Sequence, residues 1–202
     1  LVLSLWTSFT PFKLTKPDTL YRFVGFRNYE RLIGDFDFWV AFGRTVLFLA
    51  IALNLELIFG LGIALLINKI TYGQRTLRTL MMFPMMFSPI LVGFQWKYIF
   101  NDNIGLLNNF LREFGVIQPI PWLVDGILAN ISIMAAEIWS STSVFAILLL
   151  AGLLGIPKDP IEAAKVDGCN SWQVFKNITL PFLMPFVFIA MTIRSLDVAR
   201  AY

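Results

Sequence analysis

Two glutamates, Glu56 and Glu137, sit inside long apolar runs, where an acid is costly enough to mark a functional position. Beside the second, Trp139, Ser140, Ser141, Thr142 and Ser143 set an indole face next to a row of hydroxyls. That mixture suits a sugar-like solute, whose C–H faces pack on rings and whose oxygens exchange hydrogen bonds. Glu137, Trp139, Ser140, Ser141 and Glu56 are therefore candidates for a solute path. A plainer reading stands beside this one. The hydroxyls can bond their own helix carbonyls, and Glu137 can pair with a polar residue on another span. For Glu56 the plainer reading is preferred. The chain has no His and a single Cys, Cys169. This gives no basis for a metal site, a disulfide framework, or a nucleophile with an imidazole base.

A second constellation lies between Gly155 and Pro181. Asp159 is expected to cap a helix whose first residue is Pro160, with Glu162 at the third position reaching back to the cap. Gly168 ends that helix, because glycine takes the left-handed turn without penalty. Ser171 is expected to cap a second helix through Trp172, Val174 and Phe175, which feeds the next apolar run. Ala163 and Ala164 leave a smooth face against which another protein can pack.

The elements that must carry these groups are membrane spans. Hydrophobic residues make up 57% of the 202-residue chain and charged ones 14%, against about 25% charged in soluble domains. The net charge of +3 does not suggest nucleic acid and matches loops facing anionic headgroups. Four stretches approach the roughly 20 apolar residues a span needs. They are Thr45 to Ile67; Leu80 to Phe100, kinked by Pro84 and Pro89; Ile127 to Leu154; and Ile178 to Ile193 or Leu196, where Arg194 would snorkel to the interface. Asn54 is expected to glue helices together, and Gly60-x-Gly62-x-Ala64 to form a close packing face. The Met81-Met82 and Met85-Met86 pairs suit adaptable packing rather than a metal path.

Phe26, Tyr29, Leu32 and Ile33 share one helical face, as do Leu107, Phe110, Leu111 and Phe114. Both stretches predict short interfacial helices, flanked by Phe36, Trp39, Trp96 and Trp122 as belt aromatics. Leu1 to Trp6 reads as the tail of an earlier span, and the chain stops at Ala201-Tyr202, so a fragment with about five spans is expected. The basic residues Lys69, Arg75, Arg78, Lys158, Lys165 and Lys176 share one side of the membrane. Lys13, Lys16, Arg22, Arg27, Arg31, Lys97 and Arg112 share the other. The counts balance, but the acid-free segment Asn68 to Thr79 favours the first side as cytoplasmic.

The stretch Glu162-Ala163-Ala164, then Gly168, then Ile178-x-Leu180-Pro181 resembles the EAA loop of binding-protein-dependent ABC importers, at every spacing of that pattern. Asp167, Phe175 and Thr179 match the extended form found in sugar permeases similar to the maltose transporter's larger membrane subunit. Cys169 stands where Ala is usual. Val24-Gly25-Phe26-x-Asn28-Tyr29, Arg78-Thr79-Leu80 with Phe83-Pro84, and Gly105-Leu106-Leu107-Asn108 resemble the same family.

The resemblance implies an all-α, polytopic transmembrane helical bundle of the ABC importer permease fold. It also implies a single permease domain over residues 1–202, with a final span missing and a cytoplasmic coupling loop at 156–177. Glu162, Ala163, Ala164, Asp167, Gly168, Ile178, Leu180 and Pro181 would couple to a separate ATPase dimer in the bacterial inner membrane. A second, homologous permease subunit forming a heterodimer and an extracytoplasmic solute-binding protein are the other implied partners, with a carbohydrate or polyol as cargo. ATP and magnesium would belong to the ATPase. No glycine here is followed by Lys, so the chain has no phosphate-cradling G-x-x-x-x-G-K-[ST] of its own. A proton-coupled secondary transporter is the alternative. It would account for buried acids but not for the EAA spacing, and the paired hydropathy repeats it predicts are not visible.

Overall fold

The computed structural model describes residues 2–11, 15, 22–115 and 118–201. Leu1, Lys13, Lys16 and Tyr202 lie outside the described residues. Among the described residues every regular element is helical. They fall into two compact units, Leu1–Leu47 and Phe48–Tyr202.

In the first unit, α1 (Val2–Ser8) and α2 (Arg27–Ile33) are joined by side-chain bonds. The amide of Asn28 donates to the carbonyls of Ser8 (2.8 Å) and Thr10 (2.9 Å), and the Tyr29 hydroxyl reaches Ser8 Oγ at 2.8 Å. Gly25 turns the chain with φ of 60°, a left-handed conformation that a side chain would resist. The Val24-Gly25-Phe26-x-Asn28-Tyr29 phrase thus has a structural reason.

The long α3 (Phe36–Lys69) continues into the second unit. There follow α4 (Gln74–Met82), a 3-10 turn at Pro84–Met86, and α5 (Pro89–Ile99). Next come α6 (Leu106–Glu113), α7 (Gly126–Leu154), α8 (Lys158–Val166) and α9 (Ser171–Val174). A π turn at Phe175–Thr179 leads into α10 (Leu180–Ala201). Three helical stretches are long and apolar enough to cross a membrane: Phe36–Lys69, Gly126–Leu154 and Ser171–Val198. The bent pair around Pro84–Pro89 makes a fourth if counted as one span.

That pair corrects one expectation. The run Leu80 to Phe100 is broken rather than kinked, with its two arms meeting at 90°. Phe87 and Ser88 are extended, with ψ of 142° and 139°. A residue before proline is pushed out of the helical region, and Pro89 then starts a new helix at a position where its missing N–H costs nothing.

The core of the second unit joins α3, α7 and α10 through Ala52, Ala64, Phe145, Leu149, Leu183 and Ala190, all essentially inaccessible. Glycine sets the approach. A Cβ on Gly60 would lie 2.5 Å from Phe145 Cβ, and one on Gly152 would lie 2.8 Å from the Phe186 ring. Gly62 faces open space, so the close-packing face is Gly60 with Ala64, one turn apart, and excludes Gly62. Asn54 bonds its own helix at the Ala50 carbonyl (2.7 Å) and does not bridge helices as expected.

The connection from α5 to α7 is pinned by one buried side chain. Asn108 donates to the carbonyls of Asp102 and Ile120, and its oxygen accepts from the Ile120 amide and Trp122 Nε1, all within 3.2 Å. Trp122 therefore serves this staple, while Trp96 stacks on Phe100 and meets Trp139 edge-on at 5.9 Å.

Candidate functional site

The elbow between α7 and α10 is built from two short helices with well-defined ends. Helix α8 begins two residues earlier than the sequence suggested, at Lys158. Pro157 occupies the cap position with ψ of 144° and offers no side-chain bond, while Asp159 and Pro160 lie inside the first turn. The expected Asp159 cap and its Glu162 partner are not formed. The first-turn amides of any helix lack intrahelical acceptors, so Pro160 is tolerated there, and Asp159 faces the positive end of the helix dipole.

The end of α8 follows a Schellman pattern. Gly168 takes φ of 79°, its amide donates to the Lys165 carbonyl (3.1 Å), and the Cys169 amide donates to the Ala164 carbonyl (2.9 Å). Helix α9 is capped by Asn170 rather than Ser171. Asn170 Oδ1 accepts from the Gln173 amide (2.9 Å), and Gln173 Oε1 accepts from the Asn170 amide (2.8 Å). Ser171 is the first helical residue. On the surface of the elbow, Glu162 and Ala163 are exposed, Ala164, Ile178 and Leu180 are half-buried, and Asp167 and Pro181 are exposed.

No loop separates this elbow from the membrane. Leu180 donates to the carbonyl of Phe175, five residues back, which makes the wide turn. Pro181 has no N–H to give to Asn177, so the regular ladder is interrupted there, and the backbone adopts a π turn instead of breaking.

The second part of the site is buried. Arg194 on α10 is only 8% exposed and does not snorkel. It binds Glu56 of α3 through Nε and Nη2, both at 3.3 Å, and Glu137 of α7 through Nη2 at 2.6 Å. The same nitrogen donates to Ser141 Oγ at 2.7 Å, and Nη1 lies 3.6 Å from Asp197 Oδ2. Glu56 is fully buried, while the Glu137 side chain is 29% exposed. Three helices thus meet on one guanidinium. Removing two acids and a base from water is expensive, and a many-toothed guanidinium with its carboxylates is the arrangement that offsets it.

Glu137, Ser140 and Ser141 line a cavity of about 490 Å³, together with Arg194, Asp197 and the apolar wall from Pro84 to Gly93. The broken span therefore faces the polar cluster. Trp139 does not join it. Two residues on from Glu137, it turns to a separate cavity with Phe59, Met81, Thr142 and Ser143, so the ring shares a place with two of the hydroxyls but not with Glu137, Ser140 and Ser141. Ser140 and Thr142 bond carbonyls of their own helix, at Glu137 and Ile138. Ser141 alone uses its hydroxyl for the ion pairs.

Arg194 and Asp197 were missed as site residues. The available signal was charge complementarity: a lone arginine inside one apolar run, with unpaired acids inside two others.

A family model for the binding-protein-dependent transport system inner membrane component matches residues 56–201. The trehalose/maltose transport system permease protein MalF of Thermococcus litoralis is 38% identical over 180 residues, which cover 89% of this chain and 61% of that protein. A probable ABC transporter permease of Sinorhizobium fredii is 35% identical, covering 98% of this chain and 63% of that one. The trehalose transport system permease protein SugA of Mycobacterium tuberculosis is 30% identical, with the same coverage of 98% and 63%. This chain spans a little under two thirds of the length of these relatives. Among solved structures, the fold is shared by a bacterial ABC transporter that imports the acidic polysaccharide alginate. There the TM-score is 0.78 at 22% identity over 99% of this chain and 71% of that one. With its apolar spans and the family match over most of its length, the chain belongs to the inner-membrane components of binding-protein-dependent transport systems.

Proposed function

We propose that the chain is the membrane-spanning permease subunit of an ATP-driven importer for a carbohydrate or polyol. The observation that carries this reading is the elbow. A helix bearing exposed Glu162 and Ala163 is fixed at its end by Gly168, and the chain after α9 runs unbroken into a membrane span. Such a helix can seat in a groove on a partner, and a rigid connection lets its displacement tilt the span. The partner is a separate ATPase dimer that uses ATP and magnesium, docking on residues 156–177. Nucleotide moves the system only because it binds the closed dimer better than the open one. A second permease subunit, homologous to this one in a heterodimer, and an extracytoplasmic solute-binding protein complete the machine. The cargo class follows relatives named for trehalose, maltose and alpha-glucosides. A solved neighbour of the same fold is named as complexed with a periplasmic protein carrying an alginate pentasaccharide.

The test is uptake by the full-length chain with its partner subunits in vesicles. ATP inside the cytoplasmic compartment should drive import, and cysteine crosslinking from Ala164→Cys should capture the ATPase. Failure of both would sink the reading. The buried Glu56–Arg194–Glu137 cluster is the observation that favours proton-coupled transport instead. In that case a proton gradient without ATP would support uptake.

A further inference from the structure

The cavity beside α7 is charged with one sign. Glu56 is the fully buried partner of Arg194, and this pair is neutral on its own. Glu137 and Asp197 remain, and both line the cavity. Among the described residues, no cation other than Arg194 lines it. The guanidinium is already flanked by acids: its Nε and Nη2 donate to Glu56, Glu137 and Ser141, and Nη1 lies 3.6 Å from Asp197 Oδ2, an ion-pair distance too long for a hydrogen bond. Spare acceptors are left over: no hydrogen bond reaches Glu137 Oε2 or Asp197 Oδ1 from the described residues. Opposite them the wall is apolar, formed by residues such as Met85, Phe87 and Val92.

This arrangement favours a solute that donates hydrogen bonds and carries no negative charge. A sugar hydroxyl can give its proton to a carboxylate oxygen in a charge-assisted bond, while its carbon skeleton lies on the apolar wall. A uronate or phosphate would meet two carboxylates beside a guanidinium whose charge Glu56 already balances, in surroundings where repulsion is poorly screened. We propose that this cavity selects uncharged, hydroxyl-rich solutes and rejects acidic ones. Arg194 acts as a positioning residue that holds Glu137 in place, not as a receptor for an anion. The proposal rests on the importer reading given above. It sets this chain apart from the alginate importer whose fold it shares.

The sign of the field can be read by thiol labelling. Ser140→Cys, on the cavity wall, is introduced with Cys169→Ser in the full-length chain, assembled with cysteine-free partners in liposomes. Methanethiosulfonates of equal size bearing an ammonium, a neutral or a sulfonate group are compared, with rates normalised to those at Thr71→Cys on an exposed turn. The cationic reagent should outpace the anionic one by about tenfold or more, as expected for unbalanced charge within about a nanometre in a partly wet cavity. Neutralising both acids, as Glu137→Gln with Asp197→Asn, should reduce that preference to about threefold or less. Gly93→Cys, also lining the cavity, gives a second reporter if the first fails to assemble. Equal rates for the two charged reagents, or a preference that survives neutralisation, overturn the proposal. Either result leaves ATP-driven uptake untouched, whereas absence of uptake by the unsubstituted complex defeats the importer reading without altering the labelling ratio.

Discussion

Replacing Arg194 by Leu leaves Glu56 with no partner at a position of zero exposure. The structure sets the size of the effect. Glu56 loses both of its bonds to the guanidinium, at 3.3 Å each, and nothing else among the described residues donates to it. Glu137 also loses its 2.6 Å bond, but its side chain is 29% exposed to the cavity and can be hydrated instead. Almost the whole penalty therefore falls on Glu56, and breaking a buried pair from one side costs about 3–5 kcal/mol. Adding Glu56→Met to Arg194→Leu removes the orphaned charge, and apolar replacement of a whole buried pair is often close to neutral. The assay is thermal unfolding of the full-length chain in mild detergent. Arg194→Leu should melt lower by on the order of 10 °C, and the double substitution should recover most of that loss. If the single substitution melts like the unsubstituted chain, or the double falls further than the single, the buried ion pair is not what holds α3 to α10.

Gly60→Leu drives a side chain into Phe145 and should cost at least about 1–3 kcal/mol of stability, while Gly62→Leu, facing open space, should leave the melting point unchanged. Gly168→Val forces a branched residue into a left-handed turn, and Glu162→Lys reverses a charge on the docking face. Both should leave ATP hydrolysis running while solute uptake in vesicles falls, and normal uptake by both would refute the coupling role. Asn170→Ala should lower protection of the Gln173 amide in hydrogen exchange by about fivefold, corresponding to a cap of about 1 kcal/mol. Ser171→Ala should change that amide far less.

Hydrophobic run length made the spans legible, and Gly168 announced its turn because few residues besides glycine accept φ of 79°. The exact starts of the elbow helices were harder to read, because neighbouring residues compete for the same role. Asn170 and Ser171 are both good caps, and only the Gln173 three places after Asn170 distinguishes them. Asp159 ahead of Pro160 imitates a cap followed by a first-turn proline. Yet Pro157 is already extended, and the helix can start behind it with Pro160 still in the permissive first turn. The break at Phe87–Ser88 depends on how two prolines act together, each tolerable alone. Arg194 was misplaced for a different reason. Its partner Glu56 lies 138 residues away in sequence, and no local pattern reports a contact of that separation.

The wide turn before Pro181 has a consequence for angular phase. Along an α-helix each residue advances the side chains by about 100°, so the one extra residue that a π turn accommodates rotates everything after it by that amount relative to everything before. The bearing of the elbow and the bearing of Arg194 are therefore set against each other by a single imino acid thirteen positions upstream of the arginine. Were Pro181 replaced by a residue that lets the turn close to regular α-helix, the guanidinium would swing away from Glu56 and Glu137 without any helix having to bend.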